Sequence, residues 1–125
     1  RDGKDAVIFA TGVMVSKSLE AAENLEKQGI SCRVVNVSTI KPLDAEALKA
    51  NIQGMKAVVT AEEHNKYCGL GSAIAEALSE DRIPIGMVAV DDRFGTSAKN
   101  YDELLDAYGL TAEAIEKKAA SMLSD

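Results

Sequence analysis

Four short apolar runs, separated by stretches with helical periodicity, constrain the fold more than any other feature of the sequence. They are Ala6–Ala10, Arg33–Val37, Ala57–Ala61 and Ile85–Val90. Each run is continuous rather than alternating, which is typical of strands covered on both faces in a parallel sheet. Alternation of strands and helices with right-handed crossovers predicts an α/β fold, a three-layer α/β/α sandwich with a mostly parallel sheet. An antiparallel edge strand after the fourth run is compatible with the pattern.

The helical stretches carry start and stop signals. Gly29 is placed to end the first helix, and Asp44 and Thr111 are placed to cap the second and the last. A third helix is predicted over residues 71–80. The capping-box spacing of Asn100–Glu103 predicts a further short helix before Gly109.

Length and charge limit the class of protein. A chain of 125 residues is expected to form one domain over 1–125. The net charge of -6, with no basic stripe and no Trp, argues against binding to nucleic acid or to an anionic membrane. Cys32 and Cys68 lack metal-type spacing, so we interpret them as reduced thiols of a cytoplasmic protein. The polar segment Arg1–Asp5 is interpreted as a linker, and the chain as a piece of a longer one.

The candidate site lies between Val58 and Leu78. An apolar strand ends there in Glu62, Glu63 and the single histidine, His64. His64 beside two carboxylates fits either an acid–base pair or a loop histidine bonded to its neighbours. With no second histidine, the three residues could bind a divalent ion only with ligands from elsewhere. Ala10-Thr-Gly12, after the first strand, fits either an anion contact or a strand-to-helix turn, and the turn is favoured.

A glycine-rich turn follows the acidic pair. Gly69 and Gly71 match two glycines of a dinucleotide fingerprint, but Ile74 stands at the third, and seven or eight residues separate the turn from its strand. The structural interpretation, a loop turn and a close helix–sheet packing, is therefore favoured. A weak anion site at Gly69–Ser72, involving Ser72, stays open.

Taken in order, these segments resemble one family. The segments are Ala10-Thr-Gly12, Val35-Asn-Val-Ser-Thr-Ile-Lys-Pro-Leu-Asp44, Glu62-Glu-His64, Gly69-Leu-Gly71-Ser, Asp92-Arg-Phe-Gly95, and Leu104-Leu105 with Tyr108-Gly-Leu-Thr111. Their order and spacing are similar to the C-terminal domain of transketolase, especially of the form split into two polypeptides. The same domain ends the β subunit of 2-oxo acid dehydrogenase E1 and 1-deoxyxylulose-5-phosphate synthase. Cys68 and Ala98 depart from the family at positions where glycine is common.

The resemblance implies a parent enzyme that transfers a two-carbon ketol unit between sugar phosphates, using thiamine diphosphate and magnesium. The motifs that hold this cofactor are missing from the chain, so pyrimidine- and diphosphate-binding domains or a partner subunit are expected to supply them. The domain would support a homodimer or heterotetramer and be inactive alone, with no catalytic, cofactor-binding or metal residue of its own. Candidate interface or anion contacts are Glu62, Glu63, His64, Gly69, Gly71 and Ser72. The alternative is the assembly domain of the E1 β subunit or of 1-deoxyxylulose-5-phosphate synthase.

Overall fold

A computed structural model describes residues 1–37, 44–65, 69–90 and 109–124. Strands and helices alternate along the chain up to the fourth strand, as predicted. The strands are β1 (Ala6–Ala10), β2 (Cys32–Asn36), β3 (Ala57–Asn65) and β4 (Ile85–Val90), and the helices are α1 (Met14–Glu26), α2 (Ala45–Ile52), α3 (Leu70–Ala77) and α4 (Ala112–Leu123).

The four strands form one sheet in the order β2-β1-β3-β4, and each neighbouring pair is parallel. In its centre, Ile8 lies opposite Val34 on one side and Val59 on the other. β2 lies on the outer side of β1, and β4 lies on the opposite, outer side of β3, so the two crossovers run in opposite directions across the sheet. The carboxyl ends of β1 and β3 therefore flank the point where the strand order reverses, at which open α/β sheets commonly bind ligands.

Alternate residues of the strands point into two separate cores. Ile8, Val59 and their neighbours on one face pack against α1 and α4. Phe9 and Val58 on the other face pack against α2 and α3. All five residues of β1 are fully buried, because helices cover both faces of this strand. The three-layer α/β/α prediction is confirmed.

Two predicted helix caps are present. The Asp44 carboxylate accepts from the Ala47 N–H at 3.1 Å, and the Thr111 hydroxyl accepts from the Ala114 N–H at 3.1 Å. Gly29, with φ +84°, follows α1 as the predicted stop, a backbone conformation that favours glycine.

The end of β3 differs from the prediction. The strand was expected to end at Ala61, but it continues through the polar residues 62–65. The extension is held by β4, because a register shift between Ala61 and Asn65 brings Asn65 opposite Val90. Only residues 66–69 then separate β3 from α3, so the predicted connection of seven or eight residues was too long.

Several predictions lie outside the described residues. They are the antiparallel edge strand after β4, the short helix at Asn100–Glu103, and the state of Cys68. The extent of the domain, 1–125, stays a prediction. Within the described ranges, no helix has the length and apolar character needed to cross a membrane.

Candidate functional site

Glu62 lies at the carboxyl end of β3, on the face that packs against α3. Its side chain is fully buried, with 0% exposure. One carboxylate oxygen accepts from the Leu70 N–H and the other from the Gly71 N–H, each at 2.6 Å. These are unpaired donors of the first turn of α3, whose N-cap, Gly69, has no side chain to accept them. The Glu62 carboxylate is therefore the cap of α3, supplied from the sheet.

Glu63 points to the opposite face of the sheet and reaches the start of α1. Its carboxylate accepts from the Val13 N–H at 3.3 Å. Val13 is the N-cap residue of α1 and has no polar side chain of its own. Gly12, with φ +58°, turns the chain from β1 into α1, and a Cβ there would lie 2.8 Å from the same Glu63 oxygen. The strand-to-helix turn favoured for Thr11–Gly12 is thus present, with Glu63 packed against it.

Gly71 allows α3 to pack close to the sheet. A Cβ at this position would lie 2.8 Å from Met87 Sδ and 2.9 Å from Thr60 Oγ1. Such distances are well inside van der Waals contact, so a side chain at this position would require Met87, Thr60 or α3 to shift. Gly69 has φ -104°, which other residues also adopt, so its backbone does not require glycine. The close helix–sheet packing favoured from the sequence agrees with the position of Gly71.

The two glutamates lie near the carboxyl end of β3, beside the point where the strand order reverses. Helix N-termini attract anions because their N–H groups are unpaired and the helix dipole is positive there. Here the α3 and α1 N-termini both face a carboxylate of β3, one on each side of the sheet. A bound diphosphate at either helix would have to displace a negative charge that is already hydrogen-bonded.

The described residues do not fit the cofactor that the resemblance implies for the parent enzyme. A diphosphate needs free donors, whereas Glu62 occupies those of α3. Among the described residues, no group of three His, Cys, Asp or Glu side chains is placed to hold a metal ion. No step of a thiamine diphosphate reaction is therefore assigned to these residues.

The remaining candidate residues are placed as follows. The backbone of His64 belongs to β3, but its side chain lies outside the described structure. Ser72 lies in the first turn of α3 and is half-buried. Both oxygens of Glu62 accept backbone N–H groups inside the chain, which gives this side chain a structural role. Interface or anion contacts stay predictions for all six candidates: Glu62, Glu63, His64, Gly69, Gly71 and Ser72.

One sequence signal for this arrangement was available. Asp44 and Thr111 cap their helices, whereas α1 and α3 start at Val13 and Gly69, which carry no side-chain acceptor. A helix without a local cap needs an acceptor from another part of the chain. Glu62 and Glu63 are consecutive residues of β3, so their side chains point to opposite faces of the sheet. One of these faces carries α3 and the other carries α1, so each glutamate can supply the missing acceptor of one helix.

Cys32 is the described member of the predicted pair of reduced thiols. It is a free cysteine, fully buried at the start of β2. Burial, which disfavours the thiolate, raises the pKa of the Cys32 thiol to about 11. The neutral thiol therefore serves as an apolar core group and is a poor nucleophile.

Comparison with known proteins identifies related sequences. A profile of the family described as "Transketolase, C-terminal domain" matches residues 1–115. A 6-deoxy-6-sulfo-D-fructose transketolase subunit from Clostridium sp. (strain MSTE9) is 46% identical over 95% of the chain and 37% of its own length. A putative transketolase C-terminal section from Methanocaldococcus jannaschii is 41% identical over 94% of the chain and 36% of its own length. A 1-deoxy-D-xylulose-5-phosphate synthase from Gloeobacter violaceus is 42% identical over 99% of the chain and 20% of its own length.

The fold agrees with a solved structure. The chain superposes on a protein described as a split gene transketolase, inactive beta4 tetramer, with a TM-score of 0.92 and 47% identity. The match covers 98% of the chain and 40% of that protein. The chain thus spans about two fifths or less of the length of these relatives. This chain belongs to the transketolase C-terminal domain family.

Proposed function

We propose that this chain is the C-terminal domain of a split-type transketolase, an enzyme that transfers a two-carbon ketol unit between sugar phosphates. Its thiamine diphosphate and magnesium would be bound by pyrimidine- and diphosphate-binding domains or subunits outside this sequence. The support is the 47% identity over 98% of the chain to a split gene transketolase. We include a cytoplasmic location and a homodimeric or heterotetrameric assembly in the proposal.

The role proposed for the domain is to support assembly without catalysing the reaction by itself. The observation that carries this is the use of Glu62 and Glu63 inside the chain. The acidic residues that would otherwise be candidates for acid–base or ligand chemistry hold α3 and α1 on the two faces of β3. The carboxyl edge of the sheet is thereby held as a rigid surface against which another domain can pack.

A domain exchange tests the proposal. The corresponding domain of the split gene transketolase is replaced by residues 1–125, and the chimera is compared with the parent and with a version that lacks the domain. Because the beta4 tetramer is described as inactive, the parent and both variants are each combined with the other polypeptide of the split enzyme. We expect the chimera to recover the assembly of that complex, measured by sedimentation velocity, and its ketol transfer between sugar phosphates. A chimera that folds but neither assembles nor transfers the ketol unit, beside an active parent, would contradict the proposal.

A second candidate function is supported by the 42% identity to 1-deoxy-D-xylulose-5-phosphate synthase. The same exchange made in the Gloeobacter violaceus synthase separates the two. The split-transketolase proposal predicts that the transketolase chimera recovers a larger fraction of its parent's ketol transfer than the synthase chimera recovers of its parent's synthase activity. The opposite ranking would favour the synthase. The E1 β-subunit alternative stays a prediction from the sequence.

A further inference from the structure

A groove opens at the amino ends of β3 and β4, on the face of the sheet that carries α2 and α3. One wall is the turn from α2 into β3, and the other is the turn from α3 into β4. This amino-edge groove is lined by residues 52–56 and 81–84 and has a volume of about 280 Å³. It lies at the opposite edge of the sheet from Glu62 and Glu63, so its residues take no part in the site described above.

The Asp81 carboxylate in the groove has an oxygen that lacks a hydrogen-bond donor. Its Oδ2 atom is almost completely shielded from solvent, and no group in the described part of the chain donates a hydrogen bond to it. Lys49 Nζ of α2 lies 3.9 Å from this oxygen, which is within ion-pair range but beyond hydrogen-bond distance. A shielded carboxylate oxygen without a donor is unfavourable. A ligand that donates a hydrogen bond in the groove would satisfy it.

Arg82 keeps a side chain at a position where the backbone favours glycine. Its φ is +52°, and every other described residue with a positive φ is a glycine. Arg82 lines the groove, and it has no ion-pair partner within the ranges that the structure describes. A disfavoured backbone conformation that holds a charged side chain beside a cavity is typical of a ligand contact.

The second cation of the groove, Lys56, lies on the wall opposite Arg82. Its side chain is 72% exposed, and its ammonium group is 3.8 Å from the Asp5 carboxylate, so it is held only loosely. Of the ionisable side chains that line the groove, two are cationic and one is acidic, although the whole chain has a net charge of -6. The groove therefore favours an anionic group beside Arg82 and Lys56.

The donor to Asp81 is expected to be uncharged. Lys49 already lies in ion-pair range of the Asp81 carboxylate, and Arg82 follows it in the chain. A ligand ammonium group at this position would meet two like charges, whereas a hydroxyl group donates a hydrogen bond without that repulsion. Helices α2 and α3 also end at the groove, and their last carbonyls accept hydrogen bonds from hydroxyl groups equally well.

We propose that the amino-edge groove binds a phosphate ester that carries free hydroxyl groups, such as a phosphorylated sugar. The phosphate contacts Arg82 and Lys56, because guanidinium and ammonium groups are common protein partners of phosphate. The hydroxyl groups donate to Asp81. The volume of the groove is near the lower end for small-molecule sites and suits a ligand of this size. The assignment rests on the groove alone, so its failure would leave the proposed enzyme function untouched.

Amide NMR titration of the 125-residue chain tests the ligand chemistry with three probes: ribose 5-phosphate, ribose and inorganic phosphate. We expect ribose 5-phosphate to shift the amide signals of Gln53, Gly54, Arg82 and Ile83, with a dissociation constant of about 1–5 mM. Inorganic phosphate is expected to bind at least about tenfold more weakly, and ribose to give no saturable shift. The absence of a saturable shift with about 20 mM ribose 5-phosphate would overturn the proposal. Equal binding of inorganic phosphate would also overturn it, because the hydroxyl contacts would then contribute nothing.

Three variants test the residues. Arg82→Gly removes the guanidinium and places glycine at the positive φ, so the fold is expected to be retained, and binding of ribose 5-phosphate is expected to weaken about tenfold. Asp81→Ala removes the acceptor and is expected to bring the affinity for ribose 5-phosphate down to that for inorganic phosphate. Lys27→Gln is the matched control, because Lys27 is an exposed cation that follows α1 on the other face of the sheet. It is expected to bind as the parent chain does.

Two results with variants that are folded, as verified by urea denaturation, would overturn the proposal. The first is unchanged binding in Arg82→Gly, which would show that the guanidinium does not contact the phosphate. The second is a loss in Lys27→Gln as large as that in Arg82→Gly, which would show that only the net charge matters. If Asp81→Ala does not fold, the comparison of ribose 5-phosphate with inorganic phosphate in the parent chain decides the hydroxyl contact.

Discussion

Replacing Glu62 by Gln is the most informative perturbation, because it changes the charge and one acceptor while keeping the shape of the side chain. The amide oxygen of Gln can accept from one of the two N–H groups of α3. Its NH₂ group then faces the other N–H, so a buried backbone donor is left without an acceptor. Glu63→Gln is the matched control: it makes the same chemical change one residue later, where the carboxylate is half-buried and makes one 3.3 Å bond.

The expected loss follows from the contacts. A hydrogen bond to a charged group contributes about 1.5–3 kcal/mol, and an acidic group at a partly buried helix N-terminus adds up to about 2 kcal/mol. Relief of the desolvation of the buried charge offsets part of the sum. We therefore expect Glu62→Gln to lower the free energy of unfolding by about 3 kcal/mol, and Glu63→Gln by less than about 1 kcal/mol.

Urea denaturation followed by far-UV circular dichroism measures both losses by linear extrapolation. Hydrogen exchange adds a local readout, because the Leu70 and Gly71 amides should lose protection in Glu62→Gln before the amides of β1 do. A Glu62→Gln chain within about 0.5 kcal/mol of the parent, or one no less stable than Glu63→Gln, would refute the capping role.

Three further predictions concern the packing around this site and the start of β2. Gly71→Ala places a Cβ 2.8 Å from Met87 Sδ and should lower the free energy of unfolding by about 1–3 kcal/mol. In the Met87→Ala background the same change should cost clearly less, and an equal cost would contradict the steric explanation. Thr60→Val removes a buried hydroxyl that has no hydrogen-bond partner among the described residues. It should change urea stability by less than about 0.5 kcal/mol or increase it, and a loss above about 1 kcal/mol would show that the hydroxyl is bonded. For Cys32, burial raises the pKa from 9.0 to about 11, so the folded state keeps its thiol proton after the unfolded state has lost it. The contribution of the Cys32 thiol to the free energy of unfolding is fully present below pH 9.0. It falls by roughly 2–3 kcal/mol as the pH rises towards 11. The difference in free energy of unfolding between the parent and Cys32→Ala should shrink over that range, and a constant difference would contradict the assigned pKa.

Local sequence signals predicted most of the layered architecture. Continuous apolar runs locate the four strands, and β2 begins one residue before its prediction. Asp44 and Thr111 each accept a hydrogen bond from the N–H three residues later, so these caps can be recognised from the sequence alone. Gly29, which has a positive φ and follows α1, is likewise a local signal for the end of that helix.

The parts that the sequence did not predict depend on distant contacts. Residues 62–65 are polar, and they extend β3 because β4 pairs with Asn65 beyond a register shift. The Glu63 carboxylate accepts from the N–H of Val13 at the start of α1, which lies 50 positions earlier in the sequence. The segment Arg1–Asp5 was interpreted as a polar linker, but Arg1 forms backbone hydrogen bonds with Val34, 33 positions away. Apolar periodicity carries no information on such contacts, because they connect polar groups of elements that only the fold brings together.

The central claim is that the acidic residues near the carboxyl end of β3 hold this chain's own helices. We propose that thiamine diphosphate is bound by other domains. Isothermal titration calorimetry of the folded 125-residue chain with thiamine diphosphate and magnesium tests it most directly. The account predicts no saturable heat up to about 1 mM ligand. Saturable binding with a micromolar dissociation constant would contradict it.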